Sequence, residues 1–298
     1  MSLTYRAILK SLPLEEKKQL ISLTNRHGLF QLGAHLGLIG LMAAGQLAFE
    51  GVLGALALVG QGIAMCFLFC AMHEASHGTA FRTKWLNQLV GLGAGFLLFM
   101  GPRWFSYFHS AHHRFTHDPA RDPELASPKP DDWRSYLFYL SGVAIWKAAL
   151  VTLCKNAFWG APHAYVPEAG HRHVRREARL MLIAYGLVIG SGLIFIPSAL
   201  LWYWFVPVIV GQPFLRLFLI AEHANCPHEP DMLINSRTIY TNRLVLFLSW
   251  HMSYHSAHHS FPAVPFHKLA RFHNHIRAYV RYSADGYGRF HSQMMKQL

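Results

Sequence analysis

The chain has 298 residues, of which 52% are hydrophobic and only 14% charged, against about 25% charged in an ordinary soluble domain. That shortage excludes a conventional water-soluble globule and points to a membrane protein. The net charge of +12 fits a basic surface lying against anionic lipid or docking an acidic partner, and no nucleic-acid motif accompanies it.

Charge-free gaps set the expected topology. Residues 1–26 are polar, with a short amphipathic helix expected around Leu14 to Leu23 and no apolar h-region of a cleaved signal peptide. No Lys or Arg occurs between Arg26 and Arg82, and no charged residue between Arg179 and Arg216. A spanning helix needs about 20 apolar residues, so each gap holds a hairpin. The expected spans are residues 29–49 and 52–72, with a tight turn at Glu50-Gly51, and 180–196 and 200–220, turning near Pro197-Ser198. All 27 Lys and Arg then share one side, which the positive-inside rule makes cytoplasmic. His35, alone within the first span, reads as a packed or hydrogen-bonded residue.

Between the hairpins lie two apolar segments that parity keeps from crossing. Trp85 to Met100, interrupted by Asn87 and Gln88, is expected to be interfacial or re-entrant, and Gly101-Pro102-Arg103 breaks the chain after it. Residues 118–134 read as a proline-rich, acidic loop. Ser135 to Leu153, which contains Lys147, is expected to lie in the membrane plane. Residues 154–178 read as a basic, solvated loop carrying His163, His171 and His173. Pro207 and Pro213 should kink the last span, and a basic helix is expected around Phe266 to Tyr282. The whole reads as an all-α integral membrane protein, one membrane-embedded domain over 1–298 with a cytoplasmic helical cap. Cys66, Cys70, Cys154 and Cys226 form no CxxC pair and imply no disulfide framework.

Three histidine clusters punctuate this plan. His73-Glu74-Ala75-Ser76-His77 places two imidazoles at i and i+4 of a helix. His109-Ser110-Ala111-His112-His113 and His255-Ser256-Ala257-His258-His259 each place three at i, i+3 and i+4, on one face. Imidazole suits iron, zinc and copper. The first cluster alone matches HExxH, the zinc-protease helix whose glutamate is the general base, so a membrane zinc metalloprotease is the alternative of a different class. One zinc takes three or four ligands, whereas these clusters offer eight, enough for two metal ions. Bundle-type Glu-x-x-His pairs are not present in the number a carboxylate-bridged site requires.

The order HxxxH, HxxHH and a distant HxxHH across two hydrophobic hairpins resembles the integral-membrane fatty acid desaturase and hydroxylase superfamily. Arg114-Phe115-Thr116 and Arg121-Asp122-Pro123-Glu124-Leu125 resemble the superfamily's continuation after its second box, and Asn235-Ser236-Arg237-Thr238, Trp250 and Pro262-Ala263-Val264-Pro265-Phe266-His267 resemble its bacterial desaturase-like branch. The resemblance implies a non-haem site of two iron ions using O2, held by His73, His77, His109, His112, His113, His255, His258 and His259. In this superfamily a further histidine before the third box often completes the site, and His223 in Ala221-Glu222-His223 fits that position; His228 reads as a loop histidine. Glu74 and Glu222 are candidates for orienting imidazole N–H groups. His251 stands where the resemblance leads one to expect asparagine, and is a candidate for a ligand, for a hydrogen bond to bound water, or for neither. The implied reaction is fatty-acyl desaturation, with hydroxylation or ketolation of a lipid, carotenoid or other apolar molecule as the alternative. No haem, flavin or iron–sulfur motif is present, so a separate ferredoxin, rubredoxin or cytochrome b5 type donor is expected. The implied location is the bacterial inner membrane, with termini and active site cytoplasmic.

Overall fold

The computed structural model describes residues 4–127 and 129–298. Two short helices, α1 (Tyr5–Ser11) and α2 (Leu14–Ile21), lead into α3 (Asn25–Ala48) and α4 (Gly51–Ser76). The expected tight turn is present: Gly51 adopts φ +61, a backbone conformation that glycine reaches without strain. Next come α5 (Lys84–Leu97) and α6 (Pro102–Phe115), then α7 (Trp133–Leu140) and α8 (Val143–Trp159). The second long hairpin is α9 (Glu168–Phe195), the single turn α10 (Pro197–Leu200) and α11 (Val206–His223), with a π-helical turn at Leu201–Phe205 between the last two. The C-terminal part holds α12 (Arg243–Leu248), α13 (His255–Ser260), α14 (Leu269–Ile276) and α15 (Tyr287–Met295).

Four helical stretches are long and apolar enough to cross a membrane: Leu14–Ala48, Gly51–Ser76, Glu168–Phe195 and Pro197–His223. At the centre, α4 packs against both α3 and α11. Gly62 and Gly211 make that approach close, because a Cβ on either would collide with the backbone of the other helix. Gly62 lies eleven residues before His73 and Gly211 twelve before His223, so the two helices run side by side toward the same end. Proline in α11 frees carbonyls of the preceding turn. One of them, Tyr203 C=O, accepts from Gln61 Nε2 at 2.9 Å.

The first expected non-crossing segment forms α5 and ends at the expected Gly101-Pro102-Arg103 break, whereas the second is divided between α7 and α8. The chain bends by 100° between α5 and α6 and by 54° between α7 and α8. Asn87, which interrupts the apolar run, is buried; it accepts from Phe81 N–H at 3.1 Å and donates to Phe81 C=O at 2.8 Å, pinning the segment after the first cluster. Tyr185 and Trp204 clamp the end of α5 by donating to Phe96 C=O and Leu97 C=O.

Two expectations need correction. The basic stretch read as a solvated loop continues helically, so α9 begins at Glu168 and carries His171 and His173. The helix expected over Phe266 to Tyr282 ends at Ile276. Its last residue begins instead a strand, β2 (Tyr282–Asp285), parallel to β1 (Arg237–Tyr240), in an otherwise helical chain. These strands are distant in sequence and short, so local periodicity does not reveal them.

Candidate metal centre

Four helices deliver the histidines to one place. The last turn of α4 carries His73, and His77 caps that helix. The second box lies on α6, which starts with Pro102 in its first turn, where the missing N–H costs nothing. Glu177 of α9 accepts the Arg103 N–H at 2.8 Å, placing a carboxylate at the positive end of the α6 dipole. The third box forms α13, so His255, His258 and His259 share a helical face as their spacing predicts. His223 is the final residue of α11.

The imidazoles gather into two adjacent groups. In group A, one ring nitrogen from each of His73, His77, His109, His113 and His258 lies within 4.8 Å of the others. Consecutive Nε2 separations there are 3.0 Å (His77–His109), 2.9 Å (His109–His113) and 3.0 Å (His113–His258). In group B, His112, His223 and His259 meet the same condition, and His255 Nε2 lies 2.9 Å from His223 Nε2. His112 Nε2 is 3.2 Å from His223 Nε2. All nine histidines singled out in the sequence are therefore brought together. Helix α6 serves both groups, sending His109 and His113 to one and His112 to the other.

The remaining ring nitrogens establish what faces inward. In group B, His112 Nδ1 donates to Asp122 Oδ1 at 3.0 Å and His223 Nδ1 to Asn235 C=O at 2.9 Å. The Thr116 hydroxyl spends its proton on His112 C=O at 2.7 Å, so toward His259 Nδ1, 3.2 Å away, it accepts. His255 Nδ1 lies 3.2 Å from Glu222 Oε1. With the proton held on Nδ1 of His112, His223 and His259, their Nε2 atoms present lone pairs, the arrangement that ligating histidines need. In group A, the Nδ1 atoms of His73, His113 and His258 have no partner among the described residues.

Electrostatics favours the neutral rings. Burial pushes the His77 imidazole down to about 4. Burial, reinforced by neighbouring imidazoles, holds His109, His113, His255, His258 and His259 well below the usual histidine range. His112 differs: burial lowers it, but the Glu124 and Asp122 carboxylates outweigh burial and raise it. Convergent, neutral, lone-pair nitrogens are a donor set that fits transition-metal ions.

The family model for "Fatty acid desaturase" matches residues 49–291. This chain belongs to the fatty acid desaturase family. No curated protein matches it. The family match spans all three boxes and His223, so the two histidine groups lie wholly inside the family's region.

Within this desaturase-family site, several residues take roles other than those expected. Glu74 does not orient an imidazole: its carboxylate turns away and accepts the Phe266 N–H at 2.9 Å, tying α4 to the loop after the third box. Glu222 does face a histidine, His255. His251 is not on the face of His255, because α13 starts at His255 and His251 sits in the preceding turn with φ +60. Its ring lies beside Phe266, 6.2 Å between centroids, outside both groups. His35 is structural, as its isolation suggested: Nε2 donates to Ala64 C=O at 2.8 Å and Nδ1 accepts from Trp250 Nε1 at 3.2 Å. His228 packs near His117 rather than in either group.

Asp122, Thr116, Asn235 and Glu124 had no role in the sequence reading. Asp122 is the most connected, also accepting the backbone N–H groups of His117 and Glu124 at 2.8 and 2.9 Å. The available signal was the Asp122-Pro123-Glu124 segment following the second box, an acidic run whose partners only the tertiary fold reveals.

Proposed function

We propose that this chain is a membrane di-iron oxidase that uses O2 to oxidise C–H bonds of a lipid, with fatty-acyl desaturation as its reaction. The observation that carries the reading is the pair of adjacent imidazole groups joined through α6, one metal position in each. His73, His77, His109, His113 and His258 would hold one iron; His112, His223, His255 and His259 would hold the other. Bound iron would supply reduction of O2 with two external electrons and oxidation of an unactivated C–H bond. The protein's part is to keep the imidazoles neutral, fix their tautomers and exclude water, since positioning in a dry site decides between loss of a second hydrogen and addition of oxygen.

Other features support a lipid substrate and a separate donor. A groove of about 660 Å³ is lined by Leu92, Phe96, Leu180 and Met181, together with Arg176 and the Arg103–Glu177 ion pair. An apolar bed with a cation suits an anionic amphiphile. Arg172, Arg175 and Arg176 are exposed on the first turns of α9, and Gly170 packs there against the Tyr107 ring of α6. This basic surface, close to the second box, is where an acidic electron carrier would dock, on the cytoplasmic side. The zinc-protease alternative needs Glu74 as a base beside His73 and His77, but that carboxylate is committed to Phe266 N–H.

Expression in a host followed by lipid profiling tests the reaction. Desaturation yields products two hydrogens lighter, absent when His109 is replaced by alanine. Products one oxygen heavier would assign hydroxylation instead, and an unchanged lipid profile with donor and reductase present would contradict the proposal.

A further inference from the structure

We propose that Glu124 is a carboxylate ligand of the metal position in group B, so that the two metals differ chemically: one in an all-imidazole site, the other in an imidazole–carboxylate site. This rests on the two-metal reading above and goes beyond it, since that reading assigned histidines alone.

The argument begins with His112. Its Nδ1 proton is engaged by Asp122 Oδ1 at 3.0 Å, so in the neutral ring Nε2 carries a lone pair. That lone pair faces Glu124 Oε2 at 3.3 Å and His223 Nε2 at 3.2 Å. His223 is fixed in the same tautomer by Asn235 C=O at 2.9 Å. The His112 lone pair thus faces two further acceptors, and like-signed lone pairs at such distances repel unless a cation lies among them. One proton shared between two of the atoms leaves the third uncompensated; a metal ion satisfies all three. Glu124 is also held in the geometry that ligation requires. Its other oxygen, Oε1, accepts from Lys129 Nζ at 2.8 Å, and its backbone N–H is bound by Asp122. The carboxylate is therefore gripped on one oxygen and presents the other to the histidines. Asp122 orients both the imidazole and the segment bearing the carboxylate, a shared support typical of metal sites. Both sets of mutually close ligand atoms are imidazole nitrogens alone, and Glu124 stands beside the second set, through His112.

The test uses full-length protein loaded with iron-57, comparing wild type with Glu124→Gln, Glu124→Ala and Lys129→Met. Readouts are iron per chain, Mössbauer spectra of the reduced protein, and the rate of iron loss to a chelator. The wild type should hold two irons that give two ferrous doublets of equal area. In both Glu124 variants one doublet should shift or disappear while the other stays unchanged, with one iron lost at least about tenfold faster. Lys129→Met should change the same doublet in the same direction by less. Glu124→Gln keeps size and hydrogen bonding, so it carries the test if the alanine variant is not monodisperse. Two unaltered doublets and unaltered loss rates in Glu124→Gln would overturn the proposal, as would equal changes in both doublets. Fewer than two irons in the wild type would instead overturn the two-metal reading on which it rests.

Discussion

The two histidine groups are neighbours with different supports. Group B is buried throughout, whereas His77 and His113 of group A are only partly buried. Three of the four group B imidazoles have a hydrogen-bonded acceptor at Nδ1, supplied by Asp122, Asn235 or Thr116, while His255 Nδ1 lies near Glu222 without a hydrogen bond. Group A draws its ligands from the ends of α4, α6 and α13, with Nδ1 of three rings free of protein partners among the described residues. The difference teaches that helix ends alone can assemble five imidazoles, whereas two of the deeper four, His112 and His223, are fixed by loop residues. Metal in group B should therefore be held more tightly and exchange more slowly, leaving group A as the more accessible of the two.

The largest expected effect breaks group B outright. His223→Ala removes a ligand at the end of α11 and should lower iron from two per chain to one, with activity falling more than about 100-fold, beyond the range for supporting residues. Iron content and turnover on monodisperse protein check this; full iron with near-normal turnover would remove His223 from the ligand set.

A step smaller are the supports themselves. Asp122→Asn and Thr116→Val should each weaken the group B metal by roughly 10–100-fold while leaving the group A metal unchanged. Chelator titration of the two irons measures it, and equal weakening of both would erase the distinction between the groups.

Much of this was legible in the sequence, and the limits have physical causes. The charge-free gaps located the four spans because lipid excludes charge, and i, i+3, i+4 spacing located the histidine faces because helices repeat every 3.6 residues. The charged start of α9 was read as loop because its helical packing against α6, including Glu177 at the α6 N-terminus, is a tertiary matter. The role of His251 stayed open in the sequence because it turns on where the third-box helix begins, and Trp250 and His251 both take positive φ and break the helix there. The Nδ1 partners lie off the helical faces that spacing reveals: Asn235 is in the loop twelve residues after His223, and Thr116, at the end of α6, lies 143 residues from His259.

A smaller effect follows from the neutral rings. His77, His267 and His273 are each pushed down to about 4 by burial from an ordinary value of 6.5. Below 6.5 the unfolded chain binds protons that the folded one refuses, so stability rises with pH across this window. Metal-free protein should lose thermal stability as pH falls from 6.5 to about 4, with His112, raised rather than lowered, opposing the trend slightly. A melting temperature constant over that range, followed in detergent by scanning fluorimetry, would contradict the neutral assignment.

The smallest effect belongs to His251, which lies outside both groups. His251→Asn should keep both irons and at least about a tenth of the activity, a barrier change within roughly 1.4 kcal/mol. Loss of iron in this variant would mean that the turn before α13 reaches the site.

The central claim, two unequal iron positions in one membrane enzyme, is tested most directly by metal analysis of the purified wild type during timed exposure to a chelator. The account predicts two irons per chain leaving in two phases, with His77→Ala accelerating or abolishing the fast phase and leaving the slow one intact. One zinc per chain, or two irons leaving in a single phase that His77→Ala changes as a whole, would contradict it.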